Sequence, residues 1–160
     1  AGKVLADAVR LIKGDHYRSR LISKIMFGAY NKRIKNVRTV NDWLTRDEAV
    51  VDEYNAGKLT TFLFTVNGYR GLMNMILYVR KPRNIERIPK NLPMLMISGL
   101  DDPVGEYGKG VYRAYDSYHG HIDDIDLRLY ENCRHELCNE LNKEEIYEEI
   151  YGWIMDHMSK

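Results

Sequence analysis

Through the first ninety residues the apolar positions recur at helical spacing. Val4, Leu5, Ala8, Val9, Leu11 and Ile12 predict a helix that Gly14 ends. Leu21, Ile22, Ile25 and Met26 predict a second, stopped by Gly28, and the basic stretch from Asn31 to Lys35 reads as a solvated loop. Thr45 with Glu48 three positions on has the form of a capping box, which predicts a helix from Arg46 to about Asn55 before Gly57. The next apolar segment runs from Thr61 to about Tyr78 and carries Phe62, Leu63, Val66, Leu72, Met73, Ile76 and Leu77. Its opening, Thr61 to Val66, is rich in strand formers, so the segment could begin as a strand. Pro82 ends it, and Lys81 to Lys90 reads as a basic linker.

The pattern then changes. Leu92 to Ser98 is a short continuous apolar run closed by Gly99, the signature of a strand buried on both faces, with Pro93 at its first position. Residues 106 to 119 predict a helix with Val111, Ala114, Tyr115 and Tyr118 on one face. Ile125 to Tyr130 alternates as a strand with one face less buried. Glu144 to Met158 predicts a final amphipathic helix with Ile146, Ile150, Trp153 and Ile154 inward. Strand, crossover helix and strand imply a right-handed parallel connection. Two strands alone make a marginal sheet. The expectation is therefore that a further N-terminal part completes the sheet, or that the chain self-associates.

Composition narrows the class. The 160 residues are 44% apolar and 29% charged, as in a globular domain. Lys and Arg total 24 against 23 Asp and Glu, so no global field points to nucleic acid. No apolar stretch approaches the roughly 20 residues of a transmembrane helix. Cys133 and Cys138 fit a reducing, cytoplasmic setting without deciding it. With His135 between them they raise a metal cluster, but zinc-type sites need about four ligands, so small packed side chains are the preferred reading and no cofactor is expected.

Chemistry gathers where a parallel sheet collects it, at the carboxyl ends of the strands. Ser98-Gly99-Leu100-Asp101-Asp102-Pro103 follows the first strand, and Asn132-Cys133-Arg134-His135-Glu136 follows the second. A carboxylate and an imidazole would thus share one sheet edge, an arrangement suited to an acid–histidine pair. The same residues also fit ordinary turn chemistry and a surface histidine.

Taken together, the motif from Leu92 through Gly99 to Asp102-Pro103-Val104-Gly105, then Lys109-Gly110-Val111, Leu129-Tyr130, Arg134-His135-Glu136 and Asn139-Glu140, resembles the lysophospholipase and monoacylglycerol-lipase-like branch of the α/β-hydrolases, of the serine aminopeptidase S33 type. Asp42 to Asp47 and Phe62 to Thr65 fit the lid of that branch. The resemblance implies an α/β fold of partial α/β-hydrolase type: a mostly helical lid over residues 1–85, then the last two parallel strands with flanking helices over 86–160. It implies Asp102 as triad acid and His135 as triad base of a serine hydrolase of carboxylic esters, acting on a small ester or lipid. Phe62, Phe64, Met73 and Met75 could wall an acyl pocket or simply be core.

The nucleophile elbow, Gly-x-Ser-x-Gly, does not occur. Ser19, Ser23, Ser98, Ser117 and Ser159 all lack the flanking glycines, and no oxyanion-hole loop is present. The chain alone is therefore expected to be inactive, its serine lying before Ala1. Cys133 beside His135 is a weaker nucleophile candidate. The rival expectation is a non-catalytic binding module derived from the same fold.

Overall fold

The computed structural model describes residues 2–158. In chain order the elements are α1 (Gly2–Lys13), α2 (Arg20–Phe27), α3 (Glu48–Ala56), α4 (Val66–Val79), α5 (Pro82–Ile85), β1 (Met94–Gly99), α6 (Lys109–His119), β2 (Ile125–Tyr130) and α7 (Lys143–Met158). Single 3-10 turns lie at Tyr30–Arg33 and Leu137–Asn139.

Two small cores hold these elements. Ala6, Ile22, Val66 and Tyr69 are buried together where α1, α2 and α4 meet, with Leu5, Val9, Met26, Phe27 and Met73 around them. Asp7 joins the same helices through Arg70. The second core is Cys133, Leu137 and Ile146, flanked by Ile97, Tyr130 and Ile150. Ile146 is fully buried, so its side chain alone contributes about 2 kcal/mol.

β1 and β2 pair in parallel with Met94 opposite Ile125 and Gly99 opposite Tyr130, and α6 makes the crossover. β1 begins at Met94, with Pro93 just outside it, so the missing proline donor costs the ladder nothing. The expected burial on both faces is not observed. Met94 to Ile97 are only half-buried, because β2 is the one strand beside β1 among the described residues. The face of α6 is as expected, with Val111, Ala114, Tyr115 and Tyr118 half-buried. On α7, Ile146 and Ile150 point inward, whereas Ile154 is exposed.

Helix starts differ from expectation at three places, each for a local reason. α6 opens at Lys109 and not at 106, because Glu106, Tyr107 and Gly108 have positive φ. Thr45 does not cap α3. It is fully buried, and its hydroxyl donates to the Asn139 carbonyl at 2.7 Å. Asp47 caps instead, accepting from the amides of Ala49 and Val50, so the helix opens at Glu48. Thr65 caps α4 by accepting from Gly68, and residues 61–64 form neither helix nor strand. Within the expected linker, Pro82 opens the short α5, whose Ile85 is buried.

A polar seam ties the helical part to the α/β part. The amide of Glu136 donates to Leu44 O at 2.7 Å, and Arg134 Nη1 donates to the carbonyls of Asp42 and Thr45 at 2.7 and 2.9 Å. Glu140, 0% exposed, accepts from Arg46 Nε at 2.8 Å and from the Arg134 amide at 2.7 Å. Large apolar surface remains open elsewhere. Leu11 is 84% exposed and Ile12 77%, and every residue of α4 from Met75 to Val79 is exposed. No helix among the described residues is long and apolar enough to cross a membrane.

Candidate active site

Gly99 sets the position of the loop after β2. A Cβ there would run into the carbonyl oxygens of Cys133 and Arg134, so only glycine lets that loop cross the end of β1 so closely. The amide of Leu100 donates to Tyr130 O and that of Asp101 to Cys133 O, both at 2.9 Å. These bonds draw the residues before His135 over the turn that carries Asp102.

Asp102 divides its two oxygens. Oδ1 accepts from the Val104 amide at 2.8 Å, and Oδ2 lies 3.1 Å from His135 Nδ1. Turn chemistry and the contact with histidine are therefore both present in one side chain, which is 8% exposed. Asp101, one position earlier, is exposed and does not take part.

The ring of His135 lies 5.1 Å from the indole of Trp43, which in turn packs edge-on to Tyr30 at 4.9 Å. With Nδ1 donating to the carboxylate, the neutral ring keeps its lone pair on Nε2. Among the described residues Nε2 has no hydrogen-bond partner. The hydrogen bond to Asp102 raises the His135 pKa above its ordinary value; partial burial opposes this, and the charges of Asp102 and Glu136 add to it. Burial and the Asp102 charge likewise raise the Tyr30 phenol. The arrangement can accept a proton at Nε2 and hold the resulting imidazolium against Asp102.

The other nucleophile candidates are engaged elsewhere. Ser19 caps α2, Ser117 bonds back to Ala114 O at 2.6 Å, and the buried Ser98 hydroxyl turns to Gly99 O. Ser23 lies on α2, and Ser159 lies outside the described residues. Cys133 is fully buried, and burial, followed by the charge of Glu140, pushes its thiol pKa up. Its Sγ faces Asn142 Oδ1 at 3.4 Å, so the weaker cysteine reading loses both thiolate character and contact with His135. Cys138 is exposed. Among the described residues, a three-donor group that could hold a metal is Asp124, Asp126 and His157, with donor atoms within 4.8 Å, at the opposite end of β2 from His135.

Of the residues expected to wall an acyl pocket, Met73 packs on the helical core. Phe62, Phe64 and Met75 are exposed, with the Phe62 and Phe64 rings 5.0 Å apart. Trp43, Glu140 and Arg46 hold the site's loops; the family resemblance points to Asp42 to Asp47 and to Asn139-Glu140, but not to this role.

Over residues 6–142 the chain matches the family described as serine aminopeptidase, S33. An uncharacterized abhydrolase domain-containing protein of Dictyostelium discoideum is 30% identical over 116 residues, which is 72% of this chain and 12% of that protein. The fold is similar to that of a thermostable carboxyl esterase from Bacillus coagulans, with a TM-score of 0.82 and 21% identity, covering 98% of this chain and 50% of that one. A lipase in its open form gives 0.81 at 22% identity, covering 98% and 51%. The monoacylglycerol lipase of Paleococcus ferrophilus gives 0.62 at 15%, covering 98% and 65%. The chain thus spans about half the length of the carboxyl esterase and of the open lipase, and about an eighth of the Dictyostelium protein. Two parallel strands, their crossover helix and the match over residues 6–142 lead to one statement: the chain belongs to the serine aminopeptidase S33 family and has a partial α/β-hydrolase fold.

Proposed function

We propose that this chain is the lid and acid–histidine portion of a serine hydrolase of carboxylic esters, with residues 1–85 as the lid and 86–160 as the core portion. The observation that carries the reading is the 3.1 Å contact between His135 Nδ1 and Asp102 Oδ2 at the carboxyl edge of the sheet. In this reading a serine from outside the chain attacks the ester carbonyl while His135 Nε2 takes its proton. The protonated His135 then delivers that proton to the departing alcohol, leaving an acyl-enzyme. Water attacks the acyl carbon, again losing its proton to Nε2, and the serine regains it as the carboxylic acid leaves. Asp102 holds the tautomer and stabilises the imidazolium throughout.

Substrates of the monoacylglycerol or lysophospholipid type fit the exposed Phe62, Phe64 and Met75, which offer apolar surface on the lid. The exposed faces of α1 and α4 and the half-covered β1 favour a companion segment of the same fold over a stand-alone binding module. The two thiols are compatible with a cytoplasmic setting.

The test is hydrolysis of p-nitrophenyl esters by the gene product that contains these residues, beside the 160-residue chain alone. The expected result is serine-reagent-sensitive hydrolysis by the former and none by the latter. Serine-reagent-sensitive turnover by the chain alone would refute an external nucleophile. A gene product that is soluble and cooperatively folded yet inert would favour the binding module.

A further inference from the structure

A cavity of about 430 Å³ opens beside the acid–histidine pair. It is built from the same two loops, since Asp101 and Arg134 on its wall immediately precede Asp102 and His135. Arg33 and Lys35 come to it from the segment after α2, and Tyr107 and Asn132 complete its polar lining. The basic stretch expected to be a solvated loop thus forms the wall of a concave site, opened by the 3-10 turn Tyr30–Arg33.

Three cations and one carboxylate, Asp101, line the cavity, and two of the cations, Arg33 and Lys35, are not answered by acids of the chain. Arg33 lies with its guanidinium carbon 3.7 Å from the centroid of the Tyr107 ring, a stack that restrains its plane. Neither Arg33 nor Lys35 forms an ion pair among the described residues. Arg134 is shared with the neighbouring cavity: its Nη1 donates to the carbonyls of Asp42 and Thr45, and the Asp42 carboxylate partly answers its charge. The neighbouring cavity of about 210 Å³ is a useful contrast. Its Arg38 pairs with Glu48 and Asp52 and its Arg46 with Glu140, so acids of the chain already answer its cations.

We propose that this cavity is an anion subsite that receives the phosphomonoester of an acyl-ester substrate. The proposal rests on the ester-hydrolase reading above and narrows it. Two unpaired cations against one carboxylate, with Arg134 partly answered beside them, match a phosphate dianion better than a zwitterionic phosphodiester, and a guanidinium fork matches phosphate oxygens in pairs. The volume exceeds what a phosphate alone fills and leaves room for a glycerol-sized body beside it. Occupancy would bring the ester toward His135, because cavity and histidine share the loop 132–135.

Calorimetric titration of the gene product that contains these residues, at low ionic strength, tests this without requiring catalysis. The probes are glycerol 3-phosphate, glycerophosphocholine, inorganic phosphate and glycerol. Glycerol 3-phosphate is expected to bind at least about tenfold more tightly than each of the other three. Arg33→Ala with Lys35→Ala, both at exposed positions, should weaken it at least about tenfold while the circular dichroism spectrum is unchanged. Asp102→Asn should alter it less than about twofold. Equal binding of glycerol 3-phosphate and any other probe, or undiminished binding by the double variant, would overturn the proposal. If the gene product hydrolyses esters but shows no such selectivity, the subsite alone fails. If the selectivity holds and no ester is cleaved, the hydrolase reading alone fails.

Discussion

Glu140→Ala is expected to cost this chain about 3 kcal/mol. The carboxylate is fully buried between the helical and α/β parts, and it accepts from Arg46 Nε at 2.8 Å, from the Arg134 amide at 2.7 Å and from the Leu141 amide at 3.3 Å. Removing one partner of a buried ion pair costs about 3–5 kcal/mol, because the other charge loses its counterpart without regaining water. Arg46 is 29% exposed, so water restores part of its solvation and the lower end of that range applies. The Arg134 amide has no such recourse and would lose a charge-assisted hydrogen bond. With an m-value of about 2 kcal/mol/M in urea, the unfolding midpoint should fall by about 1.5 M at unchanged slope. Glu140→Gln, which keeps the shape and one acceptor, should fall by less. A shift under about 0.3 M for the alanine variant would show that the two parts are not joined through this carboxylate.

Two further predictions concern the loop that carries His135. Gly99→Ala forces a Cβ against the Cys133 and Arg134 carbonyls and should destabilise by about 2–3 kcal/mol, whereas Gly71→Ala in α4, with open space around it, should stabilise by about 0.5 kcal/mol; urea midpoints decide both. His135 has a folded pKa above its unfolded value, so its pair with Asp102 contributes stability below about pH 6.5 that is lost as pH rises through the folded value. The ring is 37% exposed, so screening limits this to about half a kcal/mol. His135→Asn should therefore cost more stability at about pH 5.5 than at pH 9, and an equal cost at both would contradict the pairing.

The second half of the chain was legible because its periodicities are local. β2 spans Ile125–Tyr130 as the alternation implied, and α7 begins one residue before Glu144. Asp102 and His135 come together because two parallel strands end at the same edge, which sequence order alone implies. What was not legible depended on distant partners. Thr45 reads as a cap until Asn139, far along the chain, accepts its hydroxyl. Arg33 and Lys35 are exposed, as a solvated loop implies, but that they also line a cavity depends on the distant Tyr107 and Arg134. β1 reads as doubly buried because its composition suits a wider sheet than two strands provide. Asp124, Asp126 and His157 gather only because the end of α7 returns to the start of β2.

The most direct test of the central claim is the ester-hydrolysis rate of the gene product bearing Asp102→Asn or His135→Ala, measured beside the wild type under identical conditions. The account predicts that each variant folds and loses at least about 10³-fold in kcat, with Asp102→Asn near 10⁴-fold because the imidazole is then held in the wrong tautomer. Wild-type rates in either folded variant would show that the 3.1 Å contact is a structural ion pair and not the acid–base pair of a hydrolase.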